Sequence, residues 1–498
     1  MAAGRLSRHL AATCAASLGP LERDISLGLR GRLPALSSSA SGGAPAPRVA
    51  IIGPPSVEFA AALRAARSAG AAVALLDLRN RAGEDLSERL AEAQVHLAIL
   101  AGTDVGSPEG KLALNAARRL GASTASVAAL QGEGASAAVA SAAAFVAQSP
   151  SGQVSAKPRE GAPGDGGASL LLFSAPPRLA GPARAAQVGQ SAVEARVAEA
   201  VRFWGLVEID TVLPIGLASD QSCSVVDALE APLAAGCRVA LPVYQAGYTH
   251  GFGSAAVEAP SEMWASIVEA VDATVIMISA ESLRHFLDAY HTLAPGLRAD
   301  LALRSRARPV RLSVAFCSPG TVPSRELSER WNEIFACPLT WHFSCAEAGS
   351  LYSVGGSVSA GLDVGVCAEG LEWQVEDDEG ELGVRGEGLF HGYQGRPRST
   401  LESFDEAGFF LRTGHRVTGL GDAGLRPEPT MSEPEVAQAA ANLLRWEPNV
   451  ARGASMRPEW REKKVYMRKY LKWRTRWGAV LLTKKHNQAH QVYDGKYK

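Results

Sequence analysis

The chain has 498 residues, 47% hydrophobic and 20% charged, with a formal net charge of −1. This composition predicts a globular, water-soluble protein with two or more domains or subdomains. No apolar run approaches the roughly 20 residues that a membrane-spanning helix needs, which argues against a transmembrane protein. Seven scattered cysteines with no Cys-x-x-Cys pair argue against a zinc site and a secreted disulfide framework.

The first predicted segment is a basic N-terminus at 1–43, rich in alanine, leucine and serine. Its acidic residues are Glu22 and Asp24. Such a composition is typical of a mitochondrial targeting segment that forms a basic amphipathic helix. The alternative is a flexible alanine-rich terminus. The basic residues of the segment are Arg5, Arg8, Arg23, Arg30 and Arg32.

Alternating strands and helices then predict two α/β subdomains, at 44–148 and 168–370, each with a parallel sheet covered by helices. A Pro/Gly/Ser-rich linker at 149–167 separates them. The predicted strands lie at 49–52, 71–76, 95–100, 169–173, 211–213, 238–241, 274–278 and 310–315. The predicted helices lie at 57–68, 86–93, 135–148, 281–290 and 433–444.

Short strands with glycine turns predict a small β subdomain at 371–425. A helical, basic, aromatic tail follows at 426–498. Residues 452–498 hold 14 Lys and Arg against three Asp and Glu, a net of +11, so the rest of the chain carries −12. So abrupt a shift of charge indicates an appended module with its own partner.

Five segments in the same order resemble motifs of one enzyme family. The clearest is 380–393, Gly-Glu-Leu-Gly-Val-Arg-Gly-Glu-Gly-Leu-Phe-His-Gly-Tyr. The others are 408–415, Gly-Phe-Phe-Leu-Arg-Thr-Gly-His; 341–347, Trp-His-Phe-Ser-Cys-Ala-Glu; 210–214, Asp-Thr-Val-Leu-Pro; and 231–236, Ala-Pro-Leu-Ala-Ala-Gly. Together they resemble adenylate-forming enzymes of the acyl-CoA synthetase family. These enzymes make an acyl-adenylate from ATP and a carboxylate, then usually transfer the acyl group to CoA.

The resemblance implies an α/β fold like the large domain of those enzymes, with stacked parallel sheets, helices and a small β subdomain. It also locates departures at the nucleotide site. The family's phosphate loop becomes Phe-Ser-Ala-Pro-Pro-Arg at 173–178, and its prolines have no N–H to offer a phosphate. Ser174 and Arg178 are the hydroxyl and the cation that remain. In a shifted alignment Arg184 takes the cationic place.

Two further departures concern the sugar and the metal. The family's ribose-binding aspartate is replaced by His415, which follows Thr413 and offers one acceptor nitrogen when neutral. Glu347 matches a magnesium-holding glutamate, but we expect a solvated or paired surface carboxylate. Nothing after residue 424 resembles the family's mobile C-terminal domain and its lysine. The sequence therefore predicts a pseudoenzyme without cofactor or metal and a vestigial nucleotide site made of Ser174, Arg178, Glu347, Thr413 and His415.

Aromatic residues in the tail are spaced by four, three and four positions, so on a helix they form one stripe among basic side chains. Aromatic residues and arginine are enriched in interface cores. The predicted partners are an acidic protein surface, an anionic lipid layer or RNA. The alternative is packing onto the chain's own acidic body. The predicted partner-binding residues are Trp460, Tyr466, Tyr470, Trp473, Arg474 and Trp477.

These features favour a structural accessory subunit of a large mitochondrial complex, on the matrix side or at the inner membrane. The −12 body favours a respiratory-chain complex, with complex I the first candidate, over a mitochondrial ribosome subunit. A non-catalytic nucleotide or acyl-CoA sensor and a divergent acyl-CoA ligase are the remaining alternatives.

Overall fold

The structure is a computed structural model that describes residues 10–13, 15–32, 47–78, 83–103, 105–127, 168–174, 183–242, 272–307, 310–317, 323–355, 365–376, 380–405, 408–419 and 425–427. The predicted linker at 149–167 and the basic aromatic tail from 428 onward lie outside these residues. So does residue 178 of the predicted nucleotide site.

The described chain contains strands and helices in alternation. The strands are β1 (Leu10–Thr13), β2 (Arg48–Ile52), β3 (Ala72–Leu76), β4 (Leu97–Leu100), β5 (Ser123–Ser126), β6 (Ala168–Ser174), β7 (Arg184–Gly189), β8 (Thr211–Ile215), β9 (Arg238–Pro242), β10 (Val275–Ser279), β11 (Leu312–Cys317), β12 (Leu339–Cys345), β13 (Gly349–Gly355), β14 (Gly365–Cys367), β15 (Leu371–Glu376), β16 (Glu381–Gly386), β17 (Gly392–Tyr393), β18 (Leu411–Gly419) and β19 (Leu425–Pro427). The α-helices are α1 (Ala15–Arg32), α2 (Val57–Ser68), α3 (Gly83–Glu92), α4 (Pro108–Arg119), α5 (Gln190–Phe203), α6 (Ser222–Val225), α7 (Ala231–Ala234), α8 (Ala280–Thr292), α9 (Pro295–Ala307), α10 (Arg325–Phe335) and α11 (Pro397–Glu402). A π-helix, Val226–Glu230, joins α6 to α7.

The smaller sheet has seven strands in the order β17-β7-β6-β3-β2-β4-β5. β3, β2, β4 and β5 run parallel to their neighbours, and β6 continues the parallel set from β3. β7 then pairs antiparallel with β6, and β17 antiparallel with β7. This sheet therefore takes strands from both sides of the predicted boundary at 149–167, so that boundary divides one sheet.

The larger sheet has twelve strands in the order β1-β9-β8-β10-β11-β12-β13-β14-β19-β18-β16-β15. Its parallel part runs from β9 to β12, and its antiparallel part from β12 onward. The short strands predicted at 371–425 continue this antiparallel part, except β17, which joins the smaller sheet. At the opposite edge lies β1, from the segment that was predicted to be a targeting signal.

The main core cluster contains side chains from both sheets and from helices α1, α2 and α5. β3 is buried at every position, as expected of a parallel strand covered on both faces. Among the helices of the described residues, none is long and apolar enough to span a bilayer.

Local signals predicted several elements closely. The predicted helix at 57–68 is confirmed at both ends as α2, because Ser56 caps it by accepting a hydrogen bond from the Phe59 N–H at 3.1 Å. The predicted strands are confirmed with ends shifted by a few residues. Helices α4, α5, α6, α7, α9, α10 and α11 and strands β1, β5, β7, β12, β13 and β14 were not predicted. The predicted helices at 135–148 and 433–444 lie outside the described residues.

Candidate functional site

The hairpin between β6 and β7 contains the predicted phosphate loop. Ser174, the last residue of β6, pairs with Arg184, the first residue of β7. Arg184 is 6% exposed, and burial lowers the pKa of its guanidinium. Its Cζ lies 6.0 Å from the centre of the Tyr393 ring. In the described part of this loop the cation is therefore Arg184, the residue of the shifted alignment, whereas the position of Arg178 is not described.

Glu347 lies just beyond β12 and is buried, with 4% of its surface exposed. Its Oε1 accepts a 2.6 Å hydrogen bond from the Tyr393 hydroxyl. Burial first, and the Glu347 charge next, raise the pKa of Tyr393, so the hydroxyl remains a donor at neutral pH. The expectation of a surface carboxylate is wrong, because β17 pairs with β7 and places Tyr393 against Glu347.

Arg196 of α5 fixes the turn that carries Glu347. Its Nε donates to the Gly388 carbonyl at 2.7 Å, and its Nη2 donates to the Glu347 carbonyl at 2.7 Å. Its Nη1 contacts the Ala346 carbonyl at 3.1 Å and the hydroxyl of Ser222 at 3.3 Å. The side chain is 3% exposed, and burial lowers its pKa to about 10, so it stays charged at neutral pH.

Gly349, at the start of β13, shows how closely the Arg196 side chain packs. Its φ is +80°, a backbone conformation that L side chains rarely adopt. A Cβ placed there would lie 2.9 Å from the Arg196 Cδ. Glycine is therefore required at this position, and the turn and the arginine fit together as one unit.

Asp227 lies in the π-helix and is 1% exposed. Its Oδ1 accepts hydrogen bonds from the Trp204 Nε1 at 3.0 Å and from the Ser350 hydroxyl at 2.9 Å. Burial raises the pKa of this carboxyl to about 6. π-Helices occur frequently at functional sites. Here the π-helix places one carboxylate between α5 and β13.

Thr413 and His415, on β18, correspond to the predicted sugar-binding motif. The Thr413 hydroxyl donates to the Leu382 carbonyl at 2.8 Å. His415 is 3% exposed, and its ring meets the rings of Phe343 and Tyr352 edge-on, with centroids 5.9 and 6.0 Å away. Burial lowers the pKa of His415 to about 4, so the imidazole is neutral at pH 7. Its Nε2 has no hydrogen-bond partner among the described residues.

Contacts within the chain connect three of the predicted motifs. The phosphate-loop hairpin reaches Glu347 through Arg184 and Tyr393. His415 meets the Glu347 segment through Phe343 of β12. The described residues do not fit the MgATP site that the resemblance implies, since one carboxylate oxygen is held by a tyrosine, the threonine hydroxyl by a carbonyl, and the histidine by an aromatic pair.

Sequence reasoning missed three members of this network. Tyr393 had a signal, because it ends the best-matching motif. Asp227 also had one, as a single acid in the otherwise apolar or small stretch at 222–229. Arg196 had almost none, since the three carbonyls that it binds lie 150 or more residues away in the chain.

Other chemistry is limited in the described residues. They contain no group of three or more His, Cys, Asp or Glu side chains that could hold a metal ion. Their six cysteines are thiols without disulfides. Burial raises the pKa of Cys223 and Cys345 to about 12, so neither is a thiolate nucleophile at neutral pH.

The two sheets and their connections define the fold of the large domain of adenylate-forming enzymes, and solved acyl-CoA ligases have this fold. MatB from Rhodopseudomonas palustris matches 86% of this chain over 77% of its own, with 17% identity and a TM-score of 0.60. A benzoate CoA ligase from Burkholderia xenovorans LB400 matches 86% over 80%, with 16% identity and a TM-score of 0.60.

A third similar structure is the N-terminal domain of FACL13 from Mycobacterium tuberculosis. This chain matches 98% of that domain over 86% of its own length, with 15% identity and a TM-score of 0.58. No protein-family model matches the sequence, and no curated protein is similar to it. At these identities the comparisons establish the fold alone.

Proposed function

We propose that this protein is a catalytically inactive relative of the acyl-CoA synthetases that serves as a structural accessory subunit of a large mitochondrial complex. A respiratory-chain complex is our first choice, and complex I the first candidate. The proposal has two parts, the loss of nucleotide chemistry and the role in an assembly, and each has its own test.

The first part depends on one observation. The side chains at the predicted nucleotide-binding positions contact other groups of the same protein. The Glu347 carboxylate accepts a hydrogen bond from the Tyr393 hydroxyl, and the Thr413 hydroxyl donates a hydrogen bond to a backbone carbonyl. His415 is buried against two aromatic rings. Adenylyl transfer relies on preorganised charges and donors around the phosphates and the sugar. Side chains engaged in this way do not supply them.

Isotope exchange between pyrophosphate and ATP tests this part. The purified protein is incubated with MgATP and a panel of carboxylates, including malonate, benzoate and fatty acids. We expect exchange no faster than in protein-free buffer. Carboxylate-dependent exchange or pyrophosphate release would support the divergent-ligase alternative and contradict inactivity.

The second part rests on the sequence. A body of −12 beside a tail of +11 favours a tail that binds an external acidic or anionic surface. The aromatic stripe of the tail has the composition of an interface core. An acidic body suits a protein-rich respiratory complex better than burial in ribosomal RNA, which leaves the mitochondrial ribosome as the second candidate.

Native electrophoresis of detergent-solubilised mitochondria separates these two candidates. We expect the protein to migrate with NADH dehydrogenase activity and to cross-link to other subunits through residues 456–498. Migration with ribosomal RNA would support the ribosome instead. A protein that migrates as a free monomer would contradict both.

One observation supports a non-catalytic ligand sensor as a second function. Arg184 keeps a buried positive charge beside Ser174 at the base of the former phosphate loop. Calorimetric titration with ATP, AMP and an acyl-CoA tests this alternative. Heat that saturates below millimolar ligand, and that is lost in Arg184→Met, would support a sensor.

A further inference from the structure

The N-terminal segment that resembles a targeting signal is folded into the body of the protein. β1 pairs antiparallel with β9 over four residues, from Leu10 opposite Pro242 to Thr13 opposite Val239. β1 is the edge strand of the larger sheet. Without it the N–H and C=O groups of β9 would form the edge, and unpaired edges invite pairing with other chains.

The helix that follows contributes to the main core. Leu18, Ile25 and Leu29 of α1 are 0%, 0% and 1% exposed. Their spacing of seven and four places them on one face of the helix. They belong to the same core cluster as Phe59 and Leu63 of α2. These three described side chains of α1 are thus buried inside the protein.

A polar contact fixes α1 against α2. Glu22 accepts hydrogen bonds from the Arg64 Nε at 3.1 Å and from the Ser68 hydroxyl at 3.1 Å. Targeting segments are poor in acidic residues. Glu22 is one of the two acids in this segment, and it has a structural use that a cleaved signal does not need.

We propose that residues 10–32 are a permanent strap of the native protein, so that any processing cut falls before Leu10 and not near residue 43. This holds whether or not the protein is mitochondrial. One consequence concerns recognition. A receptor for amphipathic helices binds the apolar face, and that face is accessible only before α1 packs against α2. A receptor can therefore bind the segment only while the body of the protein is unfolded.

A cut-and-retain experiment tests the strap in the full-length protein. A specific protease site is inserted at 38–43, the protein is folded, and the connection is cut. We expect the N-terminal fragment to co-elute with the body in gel filtration without denaturant. Separation of the two fragments would overturn the proposal.

Core variants supply the second readout. In the uncut protein, Leu18→Ala combined with Ile25→Ala should lower the melting temperature by about 5–10 °C. Arg23→Ala, at an exposed position of the same helix, is the matched control and should change it by about 1 °C or less. Equal small effects of both variants would contradict the strap.

The N-terminus of protein isolated from its native source is the third readout. Mass spectrometry should find it at or before Leu10. A native protein that begins between residues 33 and 47 would refute retention of the strap, while leaving the proposed subunit role untouched.

Discussion

Two regions of the molecule that contain the predicted nucleotide-site motifs are built differently. Around Arg196, polar side chains remain and their hydrogen bonds are directed inward, to carbonyls and to one another. Around His415, aromatic rings surround a neutral imidazole whose Nε2 has no partner among the described residues.

The difference shows two ways in which a polar side chain is accommodated inside the protein. Its polar atoms can hydrogen-bond to other buried groups, or its ring can be packed against apolar side chains. The first way makes each polar group necessary to the fold, because removing one leaves buried partners unsatisfied. The second makes the remaining polar group dispensable and makes a new charge harmful.

The largest expected effect is in the polar region. Arg196→Met removes hydrogen bonds to three buried carbonyls and leaves nearby carboxylates without a cation, so we expect a loss of about 3–5 kcal/mol of unfolding free energy. Urea denaturation measures it. Arg202→Met, at an exposed position of the same helix, should change stability by about 0.5 kcal/mol or less. Equal effects of the two variants would show that Arg196 does not hold the turn.

The next effect is in the aromatic region. His415→Asp restores the carboxylate that the family resemblance implies, but places it buried against Phe343 and Tyr352. We expect a loss of about 2–4 kcal/mol at pH 8, because the charge would be buried against two aromatic rings. The exposed His285→Asp on α8 is the control, with about 0.5 kcal/mol expected. A harmless His415→Asp would mean that this pocket is open to solvent.

Tyr393→Phe sharpens the comparison at the junction between motifs. It removes the 2.6 Å hydrogen bond to the buried Glu347 carboxylate, and we expect a loss of about 1–3 kcal/mol. Tyr290→Phe removes a 2.8 Å bond to the neutral Arg298 carbonyl and should lose about 0.5–1.5 kcal/mol. If Tyr393→Phe proved the milder of the two, the Glu347 contact would not matter to the fold.

The smallest effect is a change of pH dependence through Asp227. Burial raises its pKa to about 6 in the folded protein, above the ordinary aspartate value of 3.8. The folded state therefore binds more protons between these values, and this group's contribution to stability falls as pH rises through that window. Asp227→Asn removes this decrease in stability with rising pH, because asparagine does not titrate. From pH 5 to pH 8 the variant should gain about 1–2 kcal/mol relative to the wild type.

His342 and His415 act in the opposite direction. Burial lowers their pKa values to about 3 and about 4, so the unfolded state binds more protons below the ordinary histidine pKa, and stability falls on acidification. Both residues are present in the wild type and in Asp227→Asn, so their contributions cancel in the difference. Identical pH profiles of the two proteins would contradict the raised pKa of Asp227.

Features that depend on residues close together in the sequence were predicted well, and features that depend on distant residues were not. α2 was predicted at its exact ends, because its cap at Ser56 and its apolar face are local features. The Gly-Glu-Leu and Gly-Tyr motifs predicted the fold through their order along the chain. Which strands share a sheet depends on pairing between residues that are distant in the sequence. β6 and β7 belong to the smaller sheet although more than 40 residues separate β6 from β5.

The site was predicted less well than the fold, for the same physical reason. Glu347 was predicted to lie at the surface because its hydrogen-bond partner, Tyr393, is 46 residues further along the chain. No residue near Glu347 in the sequence indicates that contact. The composition at 1–43 predicted an amphipathic targeting helix, and a helix lies at Ala15–Arg32. Its packing into the core depends on side chains of α2 and on the edge of β9, which no local pattern reveals.

The most direct test of the central claim is a thermal-unfolding titration of the purified protein with MgATP. A protein whose nucleotide-binding side chains hold its own fold should keep the same melting temperature up to 10 mM MgATP. A site with a dissociation constant of about 0.1 mM would instead add about 2.7 kcal/mol at that concentration and raise the melting temperature by several degrees. A saturable rise of that kind would contradict the account.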